Sequence, residues 1–312
     1  MSYDLYFCRK ERNLVTREEL ASWASKYAGF NQVEKNQLWY SNEDTGVYFG
    51  FELGAAGEDG PGIPSGYFDA GVSFNLNYVR PTFFAHEAMP VVEDLASSLD
   101  LLLVSPQDSR EQPYAPEAAA LIENWKTNNQ AACLALSQEQ EGSGDTPTVL
   151  PPFMPEEDAL RWWEYQFRRR ELEKKFTEQY FVPMIFLLRR AGTLRVETAV
   201  TWTAGVPMLV PTADWAAVVR ERKRTLRRPM QEAGCVRAER LMKDVGSYLD
   251  VIDAERGWRA IPKRSLSTVN ELLESAVFEH PMAAFVRVQA DGFQDVVGDL
   301  NAGRSRSENS NG

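Results

Sequence analysis

Three runs in the first part of the chain place large apolar side chains at every second position. Tyr3, Leu5 and Phe7 alternate with Asp4, Tyr6 and Cys8, and Val47, Phe49 and Phe51 share one face of Gly46–Leu53. Val72, Phe74, Leu76 and Tyr78 alternate with Ser73, Asn75, Asn77 and Val79. A period of two fits strands with one face in a core, and three of them close together fit a mostly antiparallel sheet. Gln37–Tyr40 precedes the second run across SNEDTG, which has turn chemistry, so the two form an expected hairpin. Gly54–Gly66 is a Gly/Pro-rich loop, and Pro81 ends the third run.

Between these runs the apolar period changes to that of a helix. Thr16 stands three residues before Glu19, a capping box, and Leu20, Trp23, Ala24 and Tyr27 follow at helical spacing. Ala85–Leu99 repeats the pattern, Asp100–Val104 reads as a short buried strand, and a helix starting near Pro116 passes through Leu121, Trp125 and Leu134. In the second half Glu156-Glu157-Asp158 opens a long helix to about Phe176, with Leu160, Trp163, Phe167 and Phe176 as its expected buried face. Val182–Leu188 and Thr193–Trp202 read as strands turned by Ala191-Gly192, with a third run at Met208–Val210. The stretch from Asp214 to Lys243 is charged and mixed and favours helical stretches over strands; Tyr248–Ile252, Trp258–Ile261 and Phe285–Gln289 read as strands and Ser267–Val277 as a helix.

The expected fold class is therefore α+β, with two mixed halves, each a mostly antiparallel sheet packed against helices. The first domain is placed at residues 1–138 and the second at 153–301, joined by a linker at 139–152 that begins within QEQEGSGD and followed by a disordered tail at 302–312.

Charge separates the two halves. Residues 1–150 carry nine Lys/Arg against 22 Asp/Glu, whereas the remainder carries 25 against 23. An acidic surface repels nucleic acid and anionic lipid, and it attracts a basic protein. No nucleic-acid or membrane partner is expected, although Arg168–Arg170 and Arg220–Arg228 are local basic clusters. The opening MSYDLYFCRKERN lacks the order of a secretory leader, and the apolar run Phe181–Leu188 is too short to span a bilayer, so a cytoplasmic location is expected.

The chemistry of the chain is sparse. Cys8, Cys133 and Cys235 are widely spaced and odd in number, and read as buried reduced thiols. His86 and His280 are the only histidines, and HEAMP lacks the second His of a zinc-binding HExxH helix. Arg80 and Glu87 read as a salt bridge at a strand-to-helix corner. Neither a nucleophile elbow nor a phosphate loop is present, so no enzyme activity, cofactor or metal is expected. The alternative is a carboxylate metal site in the second half that includes Glu197. Among the eight tryptophans, Trp23 and Trp163 are assigned to the core, while Trp39, Trp162 and Trp215 are candidate exposed anchors.

Several segments carry a family resemblance: YDLYF, WYSNEDTGVYFGFEL, FNLNYVRPTFFAHEA with LLVSPQD, FVPMIFLLRR and TAVTWTAGVPMLVP. Together they resemble bacterial immunity proteins that neutralise effectors of the type VI secretion system, including guards against nuclease toxins. The resemblance implies stoichiometric binding of a cognate toxin with a basic surface. The candidate partner-binding residues are Trp39, Tyr40, Glu43, Asp44, Glu58 and Asp59 on and beside the hairpin, with the carboxylates steering encounter and the aromatics slowing dissociation. A non-catalytic adaptor of a secretion system is the remaining alternative.

Overall fold

In the first sheet, β1 (Ser2–Arg9) lies between β4 (Phe68–Asn77) and β5 (Leu102–Val104), while β2 (Gln37–Ser41) and β3 (Tyr48–Leu53) extend the sheet beyond β4. Every pairing in the order β2-β3-β4-β1-β5 is antiparallel. A computed structural model describes residues 1–31, 36–54, 62–108, 110, 112–142, 151–222 and 230–295. These form two units, Met1–Leu150 with Gln294–Gly312, and Pro151–Phe293. The architecture is α+β throughout.

Register puts the expected apolar set on one face of the first sheet. Leu5 pairs with Phe74, Phe51 with both Phe74 and Leu38, and Tyr40 with Phe49, and all are buried. Burying each such side chain contributes about 1.5–3 kcal/mol, which fixes the register because a slip of one residue would turn the whole set to water. Against this face packs α1 (Arg17–Ala24), where Trp23 meets Phe51 edge-on at 5.5 Å. Its capping box is formed: Thr16 Oγ1 accepts from Glu19 N–H at 3.2 Å, and the Glu19 carboxylate accepts from Thr16 N–H at 2.8 Å.

The second helix, α2 (Phe83–Ser98), is buried on most sides and packs on α3 (Ala118–Gly142). Its first turn is closed from far along the chain: the Asp295 carboxylate accepts from Thr82 N–H at 2.7 Å and from the Thr82 hydroxyl at 3.2 Å. A carboxylate at a helix N-terminus satisfies an otherwise orphaned donor and the helix dipole together. Residues 294–295 thus belong with the first unit, although the sequence places them in the second domain. Likewise α3 continues to Gly142, into the stretch read as linker; residues 143–150 and the tail at 302–312 lie outside the described residues.

The second unit begins with α4 (Glu156–Phe176), followed by β6 (Ile185–Arg190), β7 (Val196–Thr203), β8 (Met208–Val210), β9 (Trp215–Arg222), β10 (Met230–Arg237) and α5 (Ala238–Val245). It ends with β11 (Asp250–Asp253), β12 (Trp258–Ile261), α6 (Leu266–Ser275), β13 (His280–Pro281) and β14 (Phe285–Arg287). A six-stranded sheet runs β13-β10-β9-β7-β6-β14, with only β7 and β9 parallel, and a three-stranded sheet runs β11-β12-β8. Val200, Trp202, Ala216, Val218 and Val236 form the face that meets Leu241, Val245, Val269 and Leu273 of α5 and α6.

Two sequence expectations fail here. Residues 214–243 are mainly the hairpin β9–β10 rather than helix, with only α5 helical at its end. Trp215–Val218 is an apolar run buried on both faces of a central strand, and that tertiary burial overrides the helix preference of its alanines. Over its first turns the phase of α4 is also displaced by one residue: Trp162, Tyr165 and Gln166 are buried while Phe167 is 50% exposed; Phe176, at the far end, is buried as expected. The inward side chains serve backbone at and just before the start of β6. Trp162 Nε1 donates to Ile185 O at 2.9 Å, the Tyr165 hydroxyl donates to Pro183 O at 2.8 Å, and Gln166 Oε1 accepts from Ile185 N–H at 3.2 Å. Trp162 and Trp215 are therefore core residues, not exposed anchors, and Trp163 is half-buried beside Phe167.

Candidate functional site: the outer face of the five-stranded sheet

Alternation that sends Leu38 and Tyr40 inward sends Gln37, Trp39 and Ser41 outward. Trp39 is 43% exposed, yet its ring has a defined seat. It pairs across the sheet with Gly50, where an added Cβ would stand 3.1 Å from the indole, so the absent side chain lets the ring lie on the sheet. Trp39 Nε1 donates to Gln37 Oε1 at 3.3 Å.

The same face continues across the strands. Gln37 pairs with Glu52, Glu52 with Ser73, Ser73 with Tyr6, and Asn75 with Asp4. Glu52 is exposed, and Asp4, Tyr6, Ser73 and Asn75 are half-buried. Asp4 accepts from Asn75 Nδ2 at 2.6 Å and from the Ser2 hydroxyl at 2.8 Å, so its carboxylate is fixed in orientation. The result is two aromatic rings, Trp39 and Tyr6, interleaved with the carboxylates of Asp4 and Glu52 on a rigid support.

The edges of this sheet are covered. Phe30 bridges Tyr40, Asn31 N–H donates to Trp39 O at 3.0 Å, and Ser41 N–H donates to Gly29 O at 2.9 Å. At the opposite edge Leu103 and Tyr114 exchange both backbone hydrogen bonds, at 2.8 and 3.2 Å. A partner here meets side chains rather than an open strand edge.

The residues named from sequence separate. Trp39 and Glu43 face solvent. Tyr40 is a core residue: its ring stacks on Phe49 at 4.5 Å and its hydroxyl donates to Glu87 Oε1 at 2.9 Å. Asp44 is buried in the turn, where its N–H donates to Asn42 Oδ1 at 3.1 Å and Gly46 adopts φ +70°. Glu58 and Asp59 lie outside the described residues. Asp4, Tyr6 and Glu52 were not singled out from sequence; they are the polar half of alternations whose apolar half was used to find the strands.

Other expected chemistry also resolves into structure. Glu87 takes Tyr40 and Asn42 Nδ2 (2.7 Å) as partners, while Arg80 donates to the Tyr48 hydroxyl at 2.8 and 3.1 Å and to Val79 O at 3.0 Å, in place of the expected Arg80–Glu87 bridge. Glu197 is paired with Arg237 at 2.6 Å. Among the described residues no group of three or more His, Cys, Asp or Glu is placed to hold a metal ion, and no helix is long and apolar enough to cross a membrane. The three thiols are buried, and burial pushes each up to about 11.

Comparison of the chain with family models, with curated proteins and with solved structures gave no match.

Proposed function

We propose that the protein is a cytoplasmic immunity protein that neutralises a cognate antibacterial effector by stoichiometric binding. The observation that carries this reading is the seated, exposed indole of Trp39 on an open sheet face studded with carboxylates. An aromatic held in place before binding loses little conformational freedom on docking, and tryptophan is enriched among residues that dominate interface energy. Asp4, Glu52 and Glu43 give the surface the sign that attracts a basic toxin, which raises the association rate more than the final affinity. The net charge of −11 for the whole chain acts in the same direction.

The test is co-expression with an effector encoded beside its gene. The expected result is growth rescue and co-purification of a complex of fixed stoichiometry. Trp39→Ala should weaken that complex about 30- to 1,000-fold. Absence of both rescue and complex formation would overturn the proposal.

A further inference from the structure

Trp39 turns one face of its indole to solvent. The point where a Gly50 Cβ would begin lies 3.1, 3.2 and 3.3 Å from Cζ3, Cε3 and Cη2, and nearly equal distances to three consecutive ring atoms put the face of the six-membered ring, not its edge, on the sheet. The opposite face is the exposed one. An indole face carries the negative lobe of the ring quadrupole, so it attracts a cation laid upon it. Tyr48, Tyr114, Trp215 and Trp258 each have an arginine over their rings, but among the described residues no Lys or Arg lies over Trp39.

Register decides what lies beside the ring. Trp39, Gly50, Asn75 and Asp4 are direct cross-strand partners in one row, and Gln37, Glu52, Ser73 and Tyr6 form the row two residues along. Glu52 is therefore the diagonal neighbour of Trp39, about 5–8 Å away between Cβ positions. Its carboxylate is exposed and, among the described residues, has neither a hydrogen bond nor an ion pair. Asp4 stands two strands beyond Gly50, about 10 Å at ordinary strand spacing, and its oxygens already accept from Asn75 and Ser2. One cation cannot serve both carboxylates. An apolar side chain set on Trp39 would strip water from Glu52 and return nothing to it, whereas a cation answers ring and carboxylate together.

We propose that this spot is the seat of an arginine side chain from a protein partner, with its guanidinium flat on the outer face of Trp39 and donating edge-on to the Glu52 carboxylate. The assignment rests on the docking reading above and names the residue that the surface selects. A guanidinium stacks on an indole while its N–H groups stay in its plane, where they reach a carboxylate at the rim of the ring. An ammonium is compact and more strongly hydrated, and it serves one at the expense of the other. Arginine is therefore preferred to lysine, a finer choice than net charge makes.

Titration of the full, isotope-labelled chain with N-acetyl-arginine amide and N-acetyl-lysine amide, followed by nuclear magnetic resonance at the indole N–H signal that Trp39→Phe removes, tests the seat. The arginine probe should move that signal at about 10–100 mM, and about threefold further than the lysine probe at equal concentration. Glu52→Gln should reduce the movement about threefold or more, while Asp4→Asn should leave roughly two thirds of it, since distant charge is screened at about 0.15 M salt. The assignment is overturned if the signal does not move, if the lysine probe acts equally, if Glu52→Gln responds as the parent does, or if Asp4→Asn costs as much as Glu52→Gln, the mark of a diffuse acidic field. It fails separately from the immunity reading. Growth rescue with a silent titration removes only the arginine seat, and a positive titration without rescue or complex leaves the seat standing and removes the effector.

Discussion

The indole of Trp39 rests on the backbone of Gly50, its cross-strand partner, with Cζ3 3.1 Å from where a side-chain carbon would begin. Gly50→Ala therefore lifts the ring without touching the core beneath it. Because Trp39 is exposed and can yield, stability should change by less than about 1 kcal/mol. Tryptophan emission should shift to the red, and binding of the proposed effector should weaken although Trp39 itself is unaltered. An unchanged complex would show that the seat of the ring is irrelevant to docking.

Tyr40→Phe removes one of the donors to Glu87, a carboxylate only 4% exposed. A buried charge deprived of a hydrogen bond should cost about 1–3 kcal/mol, read as a lower denaturation midpoint at constant slope. Asn42→Ala removes another donor of this network and should cost a similar amount. The two losses should not add, since both act on one carboxylate.

Burial opposes ionisation of Asp94, but hydrogen bonds from Tyr27 (2.8 Å) and Trp23 (2.7 Å), together with the Lys26 charge, outweigh it and hold the carboxyl below its ordinary value. Its folded value lies below the unfolded one, so its stabilisation is present above the ordinary carboxylate range and is lost as pH falls through the folded value. With the side chain 38% exposed, screening limits this to about 0.5–1 kcal/mol. Asp94→Asn should lose that amount at neutral pH and show a flatter acid limb in denaturation midpoints between about pH 5 and 2.

At alkaline pH the sign reverses. Burial raises Cys8, Cys133 and Cys235 from 9.0 to about 11, so their contribution is complete below pH 9.0 and is lost as pH rises toward 11. Aromatic disulfide reagents should react slowly with the folded protein at neutral pH, and with all three thiols after denaturation. Fast reaction of any thiol in the folded state would contradict its burial.

Much of the fold was legible because its strongest signals are local. The capping box at Thr16, the alternation of Tyr3, Leu5 and Phe7 and the SNEDTG hairpin each specify structure within a few residues, and each forms. What was not legible depends on partners distant in sequence. Trp162 and Trp163 point about 100° apart on one helix, and apolarity alone does not choose between them. The choice is made by polar atoms, since Tyr165 and Gln166 are required inside to serve Pro183 and Ile185. For the same reason Tyr40 read as an anchor although its hydroxyl belongs to Glu87, 47 residues away. The outer face of the first sheet was implicit in the alternations, but only register sets Trp39, Glu52, Tyr6 and Asp4 on one surface.

Asp295→Ala should remove the acceptor of Thr82 N–H, in a threonine with no exposed surface, and cost about 1–3 kcal/mol in thermal or chemical denaturation. Asp295→Asn keeps an acceptor and should cost less. Equal stability of the parent and Asp295→Ala proteins would refute a clasping role.

That clasp also sets a schedule. Thr82 and Asp295 are separated by 213 positions, so a ribosome adding about 5–20 residues each second delivers the acceptor about 10–40 s after the donor. Throughout that interval the nascent first unit carries an α2 whose leading turn is open, and the whole second unit emerges before it can close. Completion of the first unit therefore waits until the second has been made.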